Sequence, residues 1–389
     1  MTRSVIVAAL RTPIGSYMGS LSPLKGPQLG AVVIKELISK TGVNPAEVSE
    51  VIMGCVLPAG MGQAPARQAA IFGGLPDSVP CMTINKVCGS GLKSVMLADQ
   101  AIKAGDAEVV IAGGFESMSN VPYYLDKARS GYRMGNGTLI DGMVHDGLWD
   151  VYNNFHMGSA AEMCSREMNI PKEEQDSFAE QSYRRALKAM DEGLFKEEIV
   201  PVEIKDRKGT ITVSEDEEPR KVNFEKGKTL KGAFEKDGSV TAFNSSSLND
   251  GAAAVMVMSE EKAKALGLKP LAAIVAQGSF AQKPEWFTTS PAYAIKNVLE
   301  KAKLKVGDLD LVEANEAFSV QACAVNKLAE LDPDKVNVHG GAVALGHPIG
   351  ASGARILTTL LHAMNRKDAK RGLATLCIGG GEASALIVE

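Results

Sequence analysis

Four short stretches of the chain carry side chains that could make or break bonds. Cys88 lies in Asn85-Lys86-Val87-Cys88-Gly89-Ser90-Gly91, between an extended segment and a helical one. A thiol at a helix amino terminus meets unsatisfied N–H groups and the positive end of the helix dipole, and both favour thiolate. The glycines let a carbonyl approach the backbone, so that the Cys88 N–H can face a developing oxyanion. A cysteine nucleophile calls for a nearby imidazole, and His347 in Gly346-His347-Pro348 is one of five histidines, with His145, His156, His339 and His362. Cys377 ends an extended run and precedes Gly379-Gly380-Gly381, while Asn315 follows the strand-like segment 309–312 and is placed to orient a water or carbonyl. Taken singly, each has an ordinary explanation. A lone cysteine is usually a small buried apolar residue, and a loop histidine usually packs or faces solvent. Their shared setting, beside glycine or at a strand end, raises them together.

Other chemistries lack their motifs. Gly89-Ser90-Gly91-Leu92-Lys93-Ser94 does not have the spacing of a phosphate-binding loop, and no complete GxGxxG follows the first strand. A GxSxG hydrolase elbow would need glycine where Cys88 stands. No closely spaced histidines or cysteines suggest a zinc site.

The elements that must position these groups alternate in type. Strand-like segments at 5–9, 50–56, 108–112, 309–314, 336–338 and 373–378 alternate with helical spacing at 28–40, 89–104, 292–302, 318–331 and 351–366. That alternation is the pattern of a layered α/β protein. The two ends also share their punctuation. Cys88-Gly89-Ser90-Gly91 opens a helix followed by a buried strand and Gly113-Gly114, and Gly346-His347-Pro348-Ile349-Gly350 opens another followed by a buried strand and Gly379-Gly380-Gly381. A duplicated unit predicts two glycine loops facing each other across a pseudo-twofold axis, Cys88 opposite His347. Between the halves, 171–192 reads as a solvated helix, with proline at its start and Gly193 beyond its end. The charge-dense stretches 205–208 and 215–221 read first as a solvated hairpin and loops, and second as cations for a ligand phosphate.

Composition narrows the class. The 389 residues are 45% hydrophobic and 23% charged with a net charge of -4, which excludes disorder as the main state and gives no basic footprint for nucleic acid. The apolar runs fall far short of the roughly 20 residues a membrane span needs, and 5–10 is too short for a signal-peptide core. Six cysteines without CxxC spacing (Cys55, Cys81, Cys88, Cys164, Cys323, Cys377) point to free thiols in a reducing, cytoplasmic setting.

On four blocks the sequence resembles the thiolase family over nearly its whole length, and within it the short-chain branch. They are the Asn85–Gly91 block, Asn315-Glu316-Ala317-Phe318, the run from Gly340 to Gly353, and Cys377-Ile378-Gly379-Gly380-Gly381. The resemblance implies a duplicated five-layered α/β/α/β/α core with an inserted loop domain. Residues 1–119 and 250–269 would form the first half, 120–249 the loop domain for CoA binding and tetramerisation, and 270–389 the second half. The implied activity is that of an acetyl-CoA C-acetyltransferase, joining two acetyl-CoA reversibly into acetoacetyl-CoA and CoA through an acetyl-cysteine. Cys88 would be the acyl acceptor and His347 its activator. Cys377 would be the acid/base at the α-carbon. Asn315 would hold a water that, with His347, stabilises the enolate oxygen. The N–H groups of Cys88 and Gly379 would cradle the tetrahedral oxyanion.

The same resemblance places His156, Met157 and Phe318 beside the acyl pocket, Ser246 against pantetheine, and Arg220 or Lys221 near the CoA phosphates. It implies a homotetramer formed through the loop at Tyr132-Arg133-Met134-Gly135-Asn136. No cofactor is implied, since CoA thioesters are the substrates. Glu218-Pro219-Arg220 stands where some relatives carry a potassium-binding tyrosine, so no metal ion is expected. Pro284-Glu285-Trp286-Phe287-Thr288 departs from the Met-Gly pattern of many bacterial members, which leaves pocket size open. Alternatives are a β-oxidation 3-ketoacyl-CoA thiolase acting on longer chains, a non-catalytic acyl-CoA carrier, and a condensing enzyme with two imidazoles; Asn315 stands where that last group commonly has histidine. Two thiols in one pocket also raise a regulatory Cys88–Cys377 disulfide.

Overall fold

A computed structural model of the chain describes residues 2–206 and 209–389. Its first half runs Ser4–Arg11 (β1), Gly26–Thr41 (α1), Glu50–Gly54 (β2), Pro65–Phe72 (α2), Cys81–Ile84 (β3), Ser90–Ala104 (α3) and Val109–Ser117 (β4). An insertion carrying Met157–Glu167 (α4) and Lys172–Asp191 (α5) follows, before Asn249–Ser259 (β5) completes the half. The second half runs Ala272–Ala281 (β6), Ser290–Ala302 (α6), Leu311–Ala314 (β7), Ser319–Leu328 (α7), Ala342–Leu345 (α8), Ser352–Lys367 (α9), Gly372–Ile378 (β8) and Glu382–Val388 (β9).

Strand order repeats the duplication. The first sheet is β3-β2-β4-β5-β1, with β2 parallel to β3 and β4, and β5 antiparallel to β4 and β1. The second is β7-β8-β9-β6 with the same directions, and a single parallel bridge, Val312 to Val336, stands where the first half has a whole strand. The two sheets join edge to edge where Val5 and Ile6 of β1 pair with Ala273 and Ala272 of β6.

Alternation along the strands builds five layers, because side chains at odd and even positions face opposite sides of a sheet. Val109 and Ile111 face α1 and α2, packing with Leu29, Val33, Ile34 and Ala69. Val110 and Ala112 face inward, onto Leu92, Val95 and Met96 of α3 and Ile356, Leu357 and Leu360 of α9. Those two helices also pack on Ala374, Leu376 and Leu386 of the second sheet, whose outer face (Leu373, Ala385, Ile387) is covered by Ile295 and Val298 of α6 and Val325 of α7. The central pair is therefore apolar almost all round, and each fully buried Leu or Ile in it stabilises the fold by about 1.5–3 kcal/mol.

Near their amino termini the central helices nearly touch. A Cβ on Gly353 would stand 2.2 Å from the backbone nitrogen of Leu92, and one on Gly91 would stand 2.8 Å from that of Ala354. These glycines put the two loops face to face, as the punctuation predicts.

Three expectations need correction. The helix read as solvated over 171–192 spans Lys172–Asp191 and buries Gln175, Asp176, Ala179, Ser182, Tyr183 and Ala186 along one stripe. Its polar residues are buried because they have partners, such as Ser182 Oγ donating to Glu316 Oε2 at 2.6 Å. The extended segment 336–338 reduces to the one bridge at Val336. Strands β6 and β9 escape sequence reading, since Ala, Gly and Ser dilute the β-branched signal. The charge-dense stretch 205–208 lies partly in the antiparallel hairpin Val202–Asp206 and Gly209–Val213, while Arg207 and Lys208 lie outside the described residues. Among the described residues no helix is long and apolar enough to cross a membrane.

Gly353→Ala should lower stability by about 1–3 kcal/mol through overpacking, read as a lower urea midpoint with unchanged m. An unchanged midpoint would show that the helices separate at no cost.

Candidate active site

A cleft of about 360 Å3 opens between the insertion and the paired amino ends of α3 and α9. Its walls include Cys88, His156, Met157, Ser246, Phe318, His347 and Gly379, gathered from both halves and the insertion. Cys377 packs behind that surface against Met157 and Phe318, and Asn315 lies two residues before the lining residue Ala317; each is only 1% exposed.

Cys88 is held in a tight turn before α3. Ser90 Oγ donates to Val87 O at 2.7 Å and accepts from Lys86 N at 2.8 Å, and Asn85 Oδ1 accepts from Val87 N at 2.9 Å. Val87 is forced to φ +46°, a left-handed conformation that costs about 1–3 kcal/mol in a β-branched residue and persists only when its surroundings fix it. Gly89 leaves room there for the end of the Ile378 side chain, which a Cβ would approach to 2.3 Å.

The N–H groups of Gly379 and of Cys88 itself face the sulfur, and both pull its pKa down. Burial works against them and dominates, pushing the thiol up to about 11. Burial and these donors thus act against each other, and the balance favours a protonated resting sulfur.

His347 follows Gly346, whose φ of +104° and close approach to Asn249 exclude any side chain. Asn249 Oδ1 accepts from His347 N at 2.9 Å, pinning the loop to β5. Ser352 Oγ lies 2.6 Å from His347 Nδ1 and donates to Pro348 O at 2.9 Å. With the hydroxyl proton committed to that carbonyl, Nδ1 must be the donor to Ser352, which leaves the Nε2 lone pair free. Nε2 is buried and has no protein partner. Burial, reinforced by Arg355, pushes the imidazole down to about 3, so it is a neutral base at physiological pH.

Cys377 ends β8 just before the turn Gly379-Gly380-Gly381. Its pKa is raised, by burial first and then by the sulfur of Cys88, which places the two thiols within electrostatic reach. All six cysteines are free. Asn315 presents both Oδ1 and Nδ2 without a protein partner although it is buried, which in a folded interior marks a group aimed at something other than the protein.

One wall is aromatic. Phe234 stacks on His156 at 4.8 Å and meets Phe318 edge-on at 6.1 Å, and Phe287 lies 6.4 Å from Phe318. His156 Nδ1 accepts from Gly158 N at 3.0 Å, so its other nitrogen carries the ring proton, and burial lowers its pKa. Ser246 Oγ donates to Ala317 O at 2.9 Å and keeps its lone pairs for a donor in the cleft.

Arg220 is not among the residues lining the cleft: its guanidinium is exposed and bound to Glu215 at 3.0 Å and Asp191 at 3.1 Å. Lys221 pairs with Ser16 and Glu218.

Several groups that build the site were not singled out from sequence. Ser352 fixes the His347 tautomer; its only signal was a hydroxyl one helical turn after Pro348. Glu116, wholly buried, accepts from Val56 N, Leu57 N and Gly350 N at 2.9, 3.2 and 3.0 Å, tying the loop after β2 to the entry of α9. Phe234 and Leu148 line the cleft from the insertion and carry no motif.

Two family comparisons cover almost the whole chain: residues 4–261 match the N-terminal domain of thiolase and 268–389 its C-terminal domain. The chain is 56% identical over 391 aligned positions to an acetyl-CoA acetyltransferase of Cupriavidus necator, covering 100% of both proteins. It is 54% identical to another from Pseudomonas aeruginosa, covering 98% of each. The crystal structure of the Bacillus anthracis acetyl-CoA acetyltransferase superposes with a TM-score of 0.98 at 44% identity, covering 100% of this chain and 99% of that one.

A protonated resting thiol sets a pH signature. Thiolate appears only as pH climbs toward about 11, so the rate of Cys88 alkylation by iodoacetamide should rise about tenfold per pH unit from 7 to 9. A plateau beginning near pH 7 would instead reveal a preformed thiolate–imidazolium pair.

Proposed function

The chain belongs to the thiolase family, and on that premise we propose that it is an acetyl-CoA C-acetyltransferase, converting two acetyl-CoA reversibly into acetoacetyl-CoA and CoA. The observation that carries this reading is the convergence of Cys88, His347 and the Gly379 N–H on one cleft with Cys377 directly behind. The named activity of its relatives supports acetyl over longer chains, and an aromatic wall along the cleft would suit a short acyl group.

In the first half-reaction the Cys88 proton passes to His347 Nε2 while the sulfur bonds to the acetyl carbonyl carbon. The oxygen becomes an oxyanion held by the N–H groups of Cys88 and Gly379. The C–S bond to CoA then breaks, and the departing thiolate takes its proton from Cys377. That leaves acetyl-Cys88, a Cys377 thiolate and a His347 imidazolium. Two groups whose isolated pKa values oppose ionisation are charged together and stabilise each other across a dry site.

In the second half-reaction the Cys377 thiolate removes an α-proton from a second acetyl-CoA. A thiolate is too weak a base to do this unaided, so the enolate oxygen must be stabilised as it forms. His347 Nε2–H supplies one donor and Asn315, through a water, the other. The enolate carbon attacks acetyl-Cys88, the Cys88 sulfur leaves, and His347 returns its proton. Every proton is restored, and the covalent intermediate makes the kinetics ping-pong. The proposed steps use only side chains and backbone of this chain, with CoA thioesters as substrates. Ser246 would contact pantetheine, His156, Met157 and Phe318 would bound the acyl group, and a cytoplasmic location suits the free thiols. A homotetramer would bury the exposed Tyr132, Met134 and Leu139 of the insertion.

Cys88→Ala should abolish acetoacetyl-CoA thiolysis, whereas Cys377→Ala should still trap labelled acetyl on Cys88 but lose condensation by about 100–10,000-fold. Near-normal thiolysis by the first variant would end the proposal. A substrate series from acetoacetyl to longer 3-ketoacyl thioesters should show kcat/KM falling with length; a rise would favour the β-oxidation activity.

A further inference from the structure

On one edge Asn315 N donates to Thr375 O of β8 at 2.9 Å, but on the other β7 reaches Asn315 after losing its outer neighbour. Along that edge Val312 N donates to Lys335 O at 2.9 Å and Asn337 N donates to Val312 O at 2.9 Å, the alternating pattern of a parallel ladder. The next rungs would require Ala314 N to meet the carbonyl of Asn337, and Ala314 O to meet a backbone N–H two residues further on. The chain cannot supply them. Asn337 sits at φ +47°, and the backbone turns away toward Gly340, Gly341 and the loop carrying His347.

The side chain of Asn337 takes over both rungs. Its Oδ1 accepts from Ala314 N at 2.9 Å, and its Nδ2 donates to Ala314 O at 2.7 Å. A carboxamide has the donor and acceptor of a peptide group, so it can stand in for a missing stretch of strand. The same Nδ2 donates to Glu316 Oε1 at 2.8 Å. Glu316 Oε2 in turn accepts from Ser182 Oγ at 2.6 Å and from Val343 N at 3.1 Å, at the start of the short helix α8 that leads into Gly346 and His347. Only one orientation of the amide satisfies all three partners, and Asn337 is itself 2% exposed.

The first half shows the alternative. There β3 continues beside β2 through Ile84 opposite Gly54, and Cys55 N donates to Ile84 O at 3.0 Å by main chain alone. The second half ends its edge early and substitutes a side chain. Both residues flanking Asn315 are therefore fixed by one buried amide, which also links them to the His347 loop.

We propose that Asn337 is a positioning residue for the reaction: its side chain replaces the missing ladder at Ala314, sets Asn315, and registers it against His347 through Glu316. This rests on the reading in which Asn315 acts on the enolate. Asn337 touches no reacting atom, so its effect should fall on the half-reaction that uses Asn315.

The test separates the two half-reactions in the full-length enzyme. Asn337→Gly retains the left-handed backbone and removes only the amide. Acetylation of Cys88 by labelled acetyl-CoA should stay within about 3-fold of the parent, while condensation should fall about 10–100-fold, the scale of a misplacement near 1 Å. Asn315→Ala should show the same split, and the double variant should be no slower in condensation than Asn315→Ala alone. Equal losses in both half-reactions, no loss in either, or a further loss in the double variant would overturn the proposal. If Asn315→Ala leaves condensation intact, the reading of Asn315 fails and Asn337 falls with it. If Asn315→Ala shows the split and Asn337→Gly does not, only the positioning claim fails. Should the glycine variant not fold, the near-isosteric Asn337→Asp gives the same comparison. It keeps the acceptor for Ala314 N but sets an anion against Ala314 O and Glu316, so its condensation should fall at least as far.

Discussion

The constraint on which the structure depends is the near-contact of α3 and α9 at Gly91 and Gly353. Apolar packing of two central helices between two sheets would be satisfied at many separations. Only backbone without Cβ atoms allows this one, and at this separation the loop before one helix presents sulfur where the loop before the other presents imidazole. The same crowding buries His347 and Cys377. Cys88, His347 and Cys377 all have pKa values moved in the direction that opposes charge, chiefly by burial. Those shifts favour a neutral resting centre, and in the proposed reaction charge would appear in it as a mutually stabilised pair.

Duplication places the reacting groups, but the two copies are not used alike. In the proposed reaction the first would contribute a nucleophile from the turn before α3, and the second base, acid and carboxamide from its loops and strand ends. The copies diverge most at the outer edge of the second sheet, where a full strand gives way to one bridge and a side chain. That divergence lets the chain leave the sheet early enough to build the His347 loop.

Much of this was legible in the residues. Glycine punctuation disclosed the repeat because glycine marks positions where backbones cross or turn, which is a geometric demand and so survives in the letters. Cys88, His347 and Cys377 stood out for the same reason, each lying within two residues of a glycine, and Asn315 stood out for its place at a strand end. What could not be read was partnership. Nothing in Ser352, Glu116 or Asn337 distinguishes them from surface polar residues until the groups they bond are known. Arg220 shows the same limit: the sequence marks it as a cation in a charged stretch but does not show its surface pairing with Asp191 and Glu215. Strands β6 and β9 were missed because they are buried by context, with small residues where propensity would ask for branched ones.

The aromatic wall of Phe234 and His156 belongs to the insertion, whereas every group proposed to move a proton or bond belongs to the duplicated core or its immediate strand ends. Part of the wall that would bound the acyl group is thus carried on a different piece of chain from the groups proposed to make bonds, while Phe287 and Phe318 of the same wall belong to the second half. Remodelling the lid-side rings would retune which acyl tails fit while leaving the electronics of the sulfur–imidazole pair undisturbed, an architecture in which substrate range can drift without risk to the reaction.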